Sequence, residues 1–328
     1  IAGILIMSKP QLWILILLLI LPVRISAQEA GYGTGYHLTM VSNPAITGSE
    51  GDGYLRLSYM NFYPGNTFNL HSASLSYDGY FPSLHGGAGI FISNNYLGGI
   101  VNDLRGGFSY AYFFQAGRDL YFSSGLSASF YHRGYSFSGA VLPDQIDPLM
   151  GSVLPPGEIL TSQGRTVFDL GTGFMFFTGK FFGGISVNHL AKPDLSESDF
   201  SDSRLKRSLF IHLTGDFNIN REKSLEIRSL GMLSIEKGYI SGAAGAVFKV
   251  SHLAVNLLLY GDNEKNIDAQ AGFTVNAGTM ILYYNYRFNI FAGENLLPFS
   301  LLHHTGIAIR LNNVDKRKAV KTINFPKL

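Results

Sequence analysis

The sequence predicts an all-β transmembrane antiparallel barrel of about fourteen strands, and four observations carry that prediction. Only 15% of the 328 residues are charged, against about 25% in an ordinary globular protein. The chain carries 38 Gly, 25 Phe and 18 Tyr, a composition hostile to helices, where each Gly costs roughly 1 kcal/mol. Beyond residue 27 no apolar run approaches the roughly 18 residues that a membrane-spanning helix needs. Apolar and polar residues instead alternate with period two in segments of about ten, the pattern of strands with one face in lipid.

The elements follow in order. From Met7 the chain reads MSKPQLWILILLLILPVRISAQ, with Lys9 as a basic start, ten apolar residues from Leu12 to Leu21, and Ser26-Ala27 before the expected cut. That is a secretory signal peptide, too short in its apolar part to span a bilayer. Residues 1–6 precede Met7 and read as a mis-called start, so 1–27 is set apart from the fold. Residues 28–52, Gly- and Ser-rich, are too weakly periodic for a barrel strand and are expected as a plug or cap at the lumen or its periplasmic mouth.

The barrel is expected over 53–311. Its segments lie near 53–62, 69–78, 86–94, 105–115, 120–132, 166–177, 181–189, 208–218, 225–235, 239–248, 252–260, 268–276, 279–289 and 302–311. Leu209, Ile211, Leu213 and Phe217 fall on one face of their segment, with Ser208, His212, Thr214 and Asp216 on the other. Leu253, Val255, Leu257 and Leu259 alternate with Ala254 and Asn256, and Ala73, Leu75 and Tyr77 with Ser72, Ser74, Ser76 and Asp78. Since lipid leaves no partner for an unpaired backbone N–H or C=O, such strands must close into a barrel. With the first strand running outward, the even-numbered gaps are all short, whereas 133–165, 190–207 and 290–301 are the longest. Short periplasmic turns and long outer loops are the habit of bacterial barrels.

Charge and cysteine usage remove whole classes of function. There is no Cys, which excludes disulfide scaffolds, thiolate metal sites and thiol nucleophiles. Loss of the signal peptide leaves 23 basic and 23 acidic residues, and five of the bases lie in the tail 312–328 (Lys316, Arg317, Lys318, Lys321, Lys327). That tail is expected as a basic periplasmic extension. The body 28–311 then carries about −4, so no basic face is available for nucleic acid.

Candidate chemistry is sparse. Gly31, Gly33 and Gly35 have no strand before them and no helix after them, so a phosphate-cradling loop is not expected. Nine His are scattered without metal-ligand spacing, and His303-His304 point to opposite faces of a strand. Asp194, Glu197, Asp199 and Asp202 lack a calcium-loop pattern and read as a solvated outer loop. Ser186 and His189 have opposite strand parity and cannot share a face, while His212, Thr214 and Asp216 do share the lumen side as a polar lining. No enzyme, metal or cofactor is expected. The lumen-lining candidates are Arg56, Ser72, Ser74, Ser76, Asp78, His212, Asp216, Asn285 and Arg287.

Several short motifs, in order, resemble those of the PorP/SprF outer-membrane proteins of the type IX secretion system of Bacteroidetes. Asn43-Pro44-Ala45-Ile46-Thr47-Gly48 looks like the family's "NPA-aromatic-x-G" segment. Arg56 to Gly65 resembles its "R-x-x-Y-R-x-Q-W-P-G" stretch, with Phe62-Tyr63 where Gln-Trp is usual, before Pro64 and Gly65. Asp147-Pro148 resembles its "DP" in the long loop, the stretch from Phe168 through Asn188 to Leu190 is the closest match, and His304-Thr305 stands where "S-H-E" commonly precedes the last strand. The resemblance implies an outer-membrane, non-enzymatic component of the secretion and gliding machinery. Implied partners are outer-membrane lipid, periplasmic ring lipoprotein and soluble subunits, a peptidoglycan-binding OmpA-like protein, or one secreted surface adhesin. The motif residues Asn43, Pro44, Ala45, Gly48, Arg56, Tyr63, Pro64, Gly65, Asp147, Pro148, Asn188 and His304 are the candidate partner contacts. A diffusion or uptake channel for small or hydrophobic solutes is the alternative.

Overall fold

The computed structural model describes residues 39–62, 70–137, 164–195, 204–218, 225–291 and 301–313, and the backbone alone of 146–147, 151–152 and 163. The strands are β1 (Tyr54–Phe62), β2 (Leu70–Phe81), β3 (Gly86–Leu97), β4 (Val101–Gln115), β5 (Tyr121–Tyr135), β6 (Ile146–Asp147), β7 (Gly151–Ser152) and β8 (Gln163–Phe177). They continue with β9 (Phe181–Asn188), β10 (Ser208–Asn218), β11 (Glu226–Glu236), β12 (Tyr239–Val250), β13 (Leu253–Asp262), β14 (Ile267–Ala277), β15 (Met280–Phe291) and β16 (Leu302–Arg310). Among the described residues fourteen of them form one closed antiparallel barrel, each strand paired with its sequence neighbours, β5 with β8, and β1 with β16. The predicted antiparallel barrel of about fourteen strands is the one observed.

Two details differ from the sequence reading. The strands on the first side of the barrel are longer than their alternating segments. β3 and β4 extend to Leu97 and back to Val101, so their connection is three residues with Gly98 and Gly99 at positive φ. Asn94, Asn95, Asn102 and Asp103 carry no apolar alternation there, yet the backbone ladder continues through them, because pairing satisfies the N–H and C=O groups whatever the side chain. The second difference is the hairpin β6–β7, which pairs Ile146 with Ser152 and Asp147 with Gly151 within the long connection between β5 and β8.

Alternation decides the two faces. Outward positions are large and apolar and stay uncovered: Phe168 is 80% exposed, Leu126 63% and Leu257 54%. Their inward neighbours are the reverse, with Asn256 and Asn285 each only 1% exposed. A bare Phe or Leu in water would cost roughly 1.5–3 kcal/mol, so such a surface is stable only against hydrocarbon. Phe114, Phe122 and Phe174 pack across adjacent strands near the short turns, with ring centroids 5.4 Å apart in each successive pair. Aromatic residues at this level are the expected interface girdle. Among the described residues, buried apolar side chains cluster at three places, around Ala111, Met175 and Phe210, around Val247 and Leu258, and around Tyr131, Leu195 and Leu205.

Candidate functional site

The short-turn end of the lumen is occupied by the residues just before β1. Asn43 ends the preceding turn in an extended conformation, and Pro44 opens a 3-10 turn over Pro44–Ile46, its fixed φ and missing N–H suiting the first position. The Asn43 Oδ1 accepts from the Ala45 N–H at 2.9 Å, and its Nδ2 lies 3.4 Å from His212 Nε2 on β10. Thr47 Oγ1 pairs with Ser109 on β4 at 2.7 Å, Ser123 of β5 donates to the Ala45 carbonyl at 2.7 Å, and Ser186 of β9 donates to the Ser42 carbonyl at 2.6 Å. Asn43, Ala45 and Thr47 are completely buried.

The wall accommodates this segment by omitting side chains. A Cβ on Gly173 would stand 2.0 Å from Asn43 Oδ1, and one on Gly125 would stand 2.3 Å from the Ala45 nitrogen. Gly48 sits at φ +69°, a conformation that L residues avoid, with its Cα side against Gly87. These lumen-facing glycines, on β3, β5 and β8, were countable in the sequence. Their shared role becomes visible only when closure of the sheet sets them side by side.

A charged lock continues the attachment. Arg56 on β1 forms ion pairs with both Glu50, in the segment, and Asp78, on β2. Asp78 Oδ2 also accepts from the Gly48 N–H at 2.7 Å. Asp52 Oδ1 accepts from the backbone N–H groups of Gly53, at 2.9 Å, and of Asn313, at 3.0 Å, tying the segment to the residues that follow the last strand. Burial raises the pKa of Glu50 above the ordinary carboxylate value, and neighbouring Asp78 adds to the shift, while the Arg56 charge opposes it. Desolvation of the carboxylate therefore outweighs its ion pair.

The remaining candidates divide plainly. Ser72, Ser74 and Ser76 face the lumen on β2, with Ser72 donating to Asn95 Oδ1 at 2.6 Å. Asp216 is held by Arg228 at 2.6 and 3.1 Å. Asn285 accepts from Asn256 at 2.8 Å, and Arg287 lies over the Tyr260 ring at 3.7 Å. His304 is buried on the inner face of β16 with its Nε2 2.9 Å from Ser58 Oγ, whereas His303 meets Tyr284 on the outer face. Asn188 is buried at the end of β9, facing a lumenal cavity of about 340 Å³. Asn43, Pro44, Ala45, Gly48, Arg56, Asp78 and His212 form one constellation; Asn188, Asp216, Asn285, Arg287 and His304 lie elsewhere in the lumen. Of Asp147 only the backbone, in β6, is described; Tyr63, Pro64, Gly65, Pro148, the signal peptide, residues 28–38 and most of the tail lie outside the described residues.

Two expectations are corrected. His189 does share the lumen with Ser186, because β9 ends at Asn188 and His189 turns inward at φ +57°, outside strand parity. Its Nδ1 is 2.8 Å from Asp169 Oδ2, a buried pair that the sequence reading missed. The connection after β9 is also not wholly solvated. Leu195 and Leu205 are buried against Tyr131, and Asp194 bridges to Arg204 rather than standing as a free acid. A second inner-face cluster went unread: Asp103 receives Arg133 at 2.7 Å on each oxygen and Tyr131 at 3.1 Å.

A family model described as "Type IX secretion system membrane protein PorP/SprF" matches residues 26–295. No curated protein matches the chain. Among solved structures, the P. putida toluene transporter TodX is 12% identical, with a TM-score of 0.50 over 83% of this chain and 93% of that one. The Ralstonia pickettii toluene transporter TbuX gives 12% identity and a TM-score of 0.49, covering 82% and 90% of the two chains. The Acinetobacter baumannii outer membrane protein Omp33 gives 8% and 0.46, covering 80% and 100%. The TodX superposition is a likeness of fold alone.

Proposed function

Because this chain belongs to the PorP/SprF family of type IX secretion system membrane proteins, we propose that it is a non-catalytic outer-membrane anchor of that machinery. In this reading the short-turn end of the barrel is a docking face for periplasmic subunits or for the segment of a secreted adhesin. One observation carries it: the segment before β1 is bonded to β2, β4, β5, β9 and β10 and to Asn313, which makes the inner end a shaped, rigid surface rather than an open mouth. A preorganised surface loses little entropy on binding. No proton transfer or nucleophile is required of it. Ser186, the serine nearest in sequence to His189, donates its hydroxyl proton to the Ser42 carbonyl.

The deciding experiment is crosslinking in gently solubilised outer membranes, affinity purification of the tagged protein and identification of every partner by mass spectrometry. Recovery of ring lipoproteins, a peptidoglycan-binding protein or one adhesin supports the anchor. Their absence, together with normal secretion in a deletion strain, refutes it. The lumenal cavity favours a second reading, a channel for small or hydrophobic solutes. A stable single-channel conductance with residues 39–52 intact would establish that reading instead.

A further inference from the structure

The cavity of about 340 Å³ lies above the inner segment, with Thr39, Val41, Ser42 and Glu50 contributing to its lining. Its two walls differ in chemistry. On one side, cross-strand neighbours Ser58, Ser74 and Ser93 bring three hydroxyls together, and the same register row continues to Arg105 on β4. On the other side the lining includes Phe210, Met232 and Tyr260. The volume is that of a small-molecule site, lined mainly by apolar groups with a few convergent polar ones.

Arg105 distinguishes this cavity from a merely wet lumen. The other guanidiniums lining it are engaged by acids: Arg56 by Glu50 and Asp78, Arg133 by both oxygens of Asp103. Arg105 has no carboxylate partner among the described residues, and its Nε is buried without a hydrogen-bond acceptor. Its guanidinium carbon lies over the Phe91 ring, 5.5 Å from the ring centre, a cation–π contact. A half-buried guanidinium whose Nε has no acceptor among the described residues, beside hydroxyl groups, is a specific host for a carboxylate.

We propose that this cavity binds a small organic carboxylate with an apolar body, its oxygens held by Arg105 and the Ser74 and Ser93 hydroxyls and its body against Phe210, Met232 and Tyr260. The inner segment forms part of this site's lining, but binding there does not depend on the anchoring role. The probe is octanoate, with octanol as the neutral ligand of the same length, measured by equilibrium dialysis against the purified protein in lipid nanodiscs and corrected with empty nanodiscs. Octanoate is expected to bind at least about tenfold more tightly than octanol, the worth of a charge-assisted hydrogen bond. Arg105→Gln, checked for folding by heat-modifiable migration, is expected to remove that preference, and Arg105→Lys to keep most of it. Equal affinity for the two probes on the unaltered protein overturns the proposal without recourse to any variant. Undiminished octanoate binding by folded Arg105→Gln overturns it as well.

Discussion

Asn43 uses one atom of its amide on its own backbone and another on the wall, so a single truncation tests both attachments. Asn43→Ala is expected to lose the cap, about 1 kcal/mol, and to leave His212 without that neighbour, for a total of about 1–3 kcal/mol. Chemical denaturation in detergent and protease cleavage after residue 39 would both register it; unchanged curves would remove Asn43 from the attachment. Arg56→Met is expected to cost more, about 3–5 kcal/mol, because Glu50 and Asp78 would remain buried without their cation. Glu50→Gln should behave differently. Since burial raises the Glu50 pKa, the folded state favours the protonated carboxyl, so the contribution is fully present below the ordinary value of 4.5 and is lost as pH rises through the raised one. Glu50→Gln, which mimics the protonated form, should therefore match or exceed the parent at pH 7, with the difference vanishing as pH falls below 4.5. A large loss at pH 7 would show that the ion pair outweighs burial.

At the scale of elements, each strand presents one face to lipid and one to the lumen, and the two respond to opposite changes. Leu257→Arg on the outer face of β13 is expected to destabilise the barrel by about 2–4 kcal/mol in lipid if it lies near the midplane, measured by reversible denaturation in vesicles. Gly173→Val on the inner face of β8 should leave the barrel closed and expel the inner segment, seen as new protease sensitivity after residue 39. The outward faces were legible from period two, because hydrocarbon imposes the same local demand on every strand: Leu75, Ile211, Leu213 and Leu257 were all placed correctly. Strand ends were less legible. At Asn94–Leu97 and Val101–Leu104 the ladder runs on through polar residues, and a backbone pair asks nothing of its side chains. Past a strand end parity stops applying, which is why His189 turned inward against expectation.

For the whole molecule, the inner segment and the cavity above it decide whether the barrel behaves as a rigid anchor or as a conduit. Removal of residues 39–52 is expected to raise single-channel conductance in planar bilayers several-fold while leaving heat-modifiable migration intact. It should also abolish recovery of periplasmic partners after crosslinking. Unchanged partner recovery would move the docking face to the turns or to the residues beyond 313.

Period-two alternation, the short and long gaps and the weak charge were enough to determine a closed outer-membrane barrel of about fourteen strands and the faces of the alternating segments, because lipid and backbone pairing act residue by residue along the chain. Only the tertiary structure decided which inner residues meet. Asn43 reaches His212 across 169 positions and Gly53 reaches Asn313 across 260. Such contacts arise from ring closure, which brings β1 against β16 and aligns glycines from separate strands into one groove. No local pattern encodes that proximity.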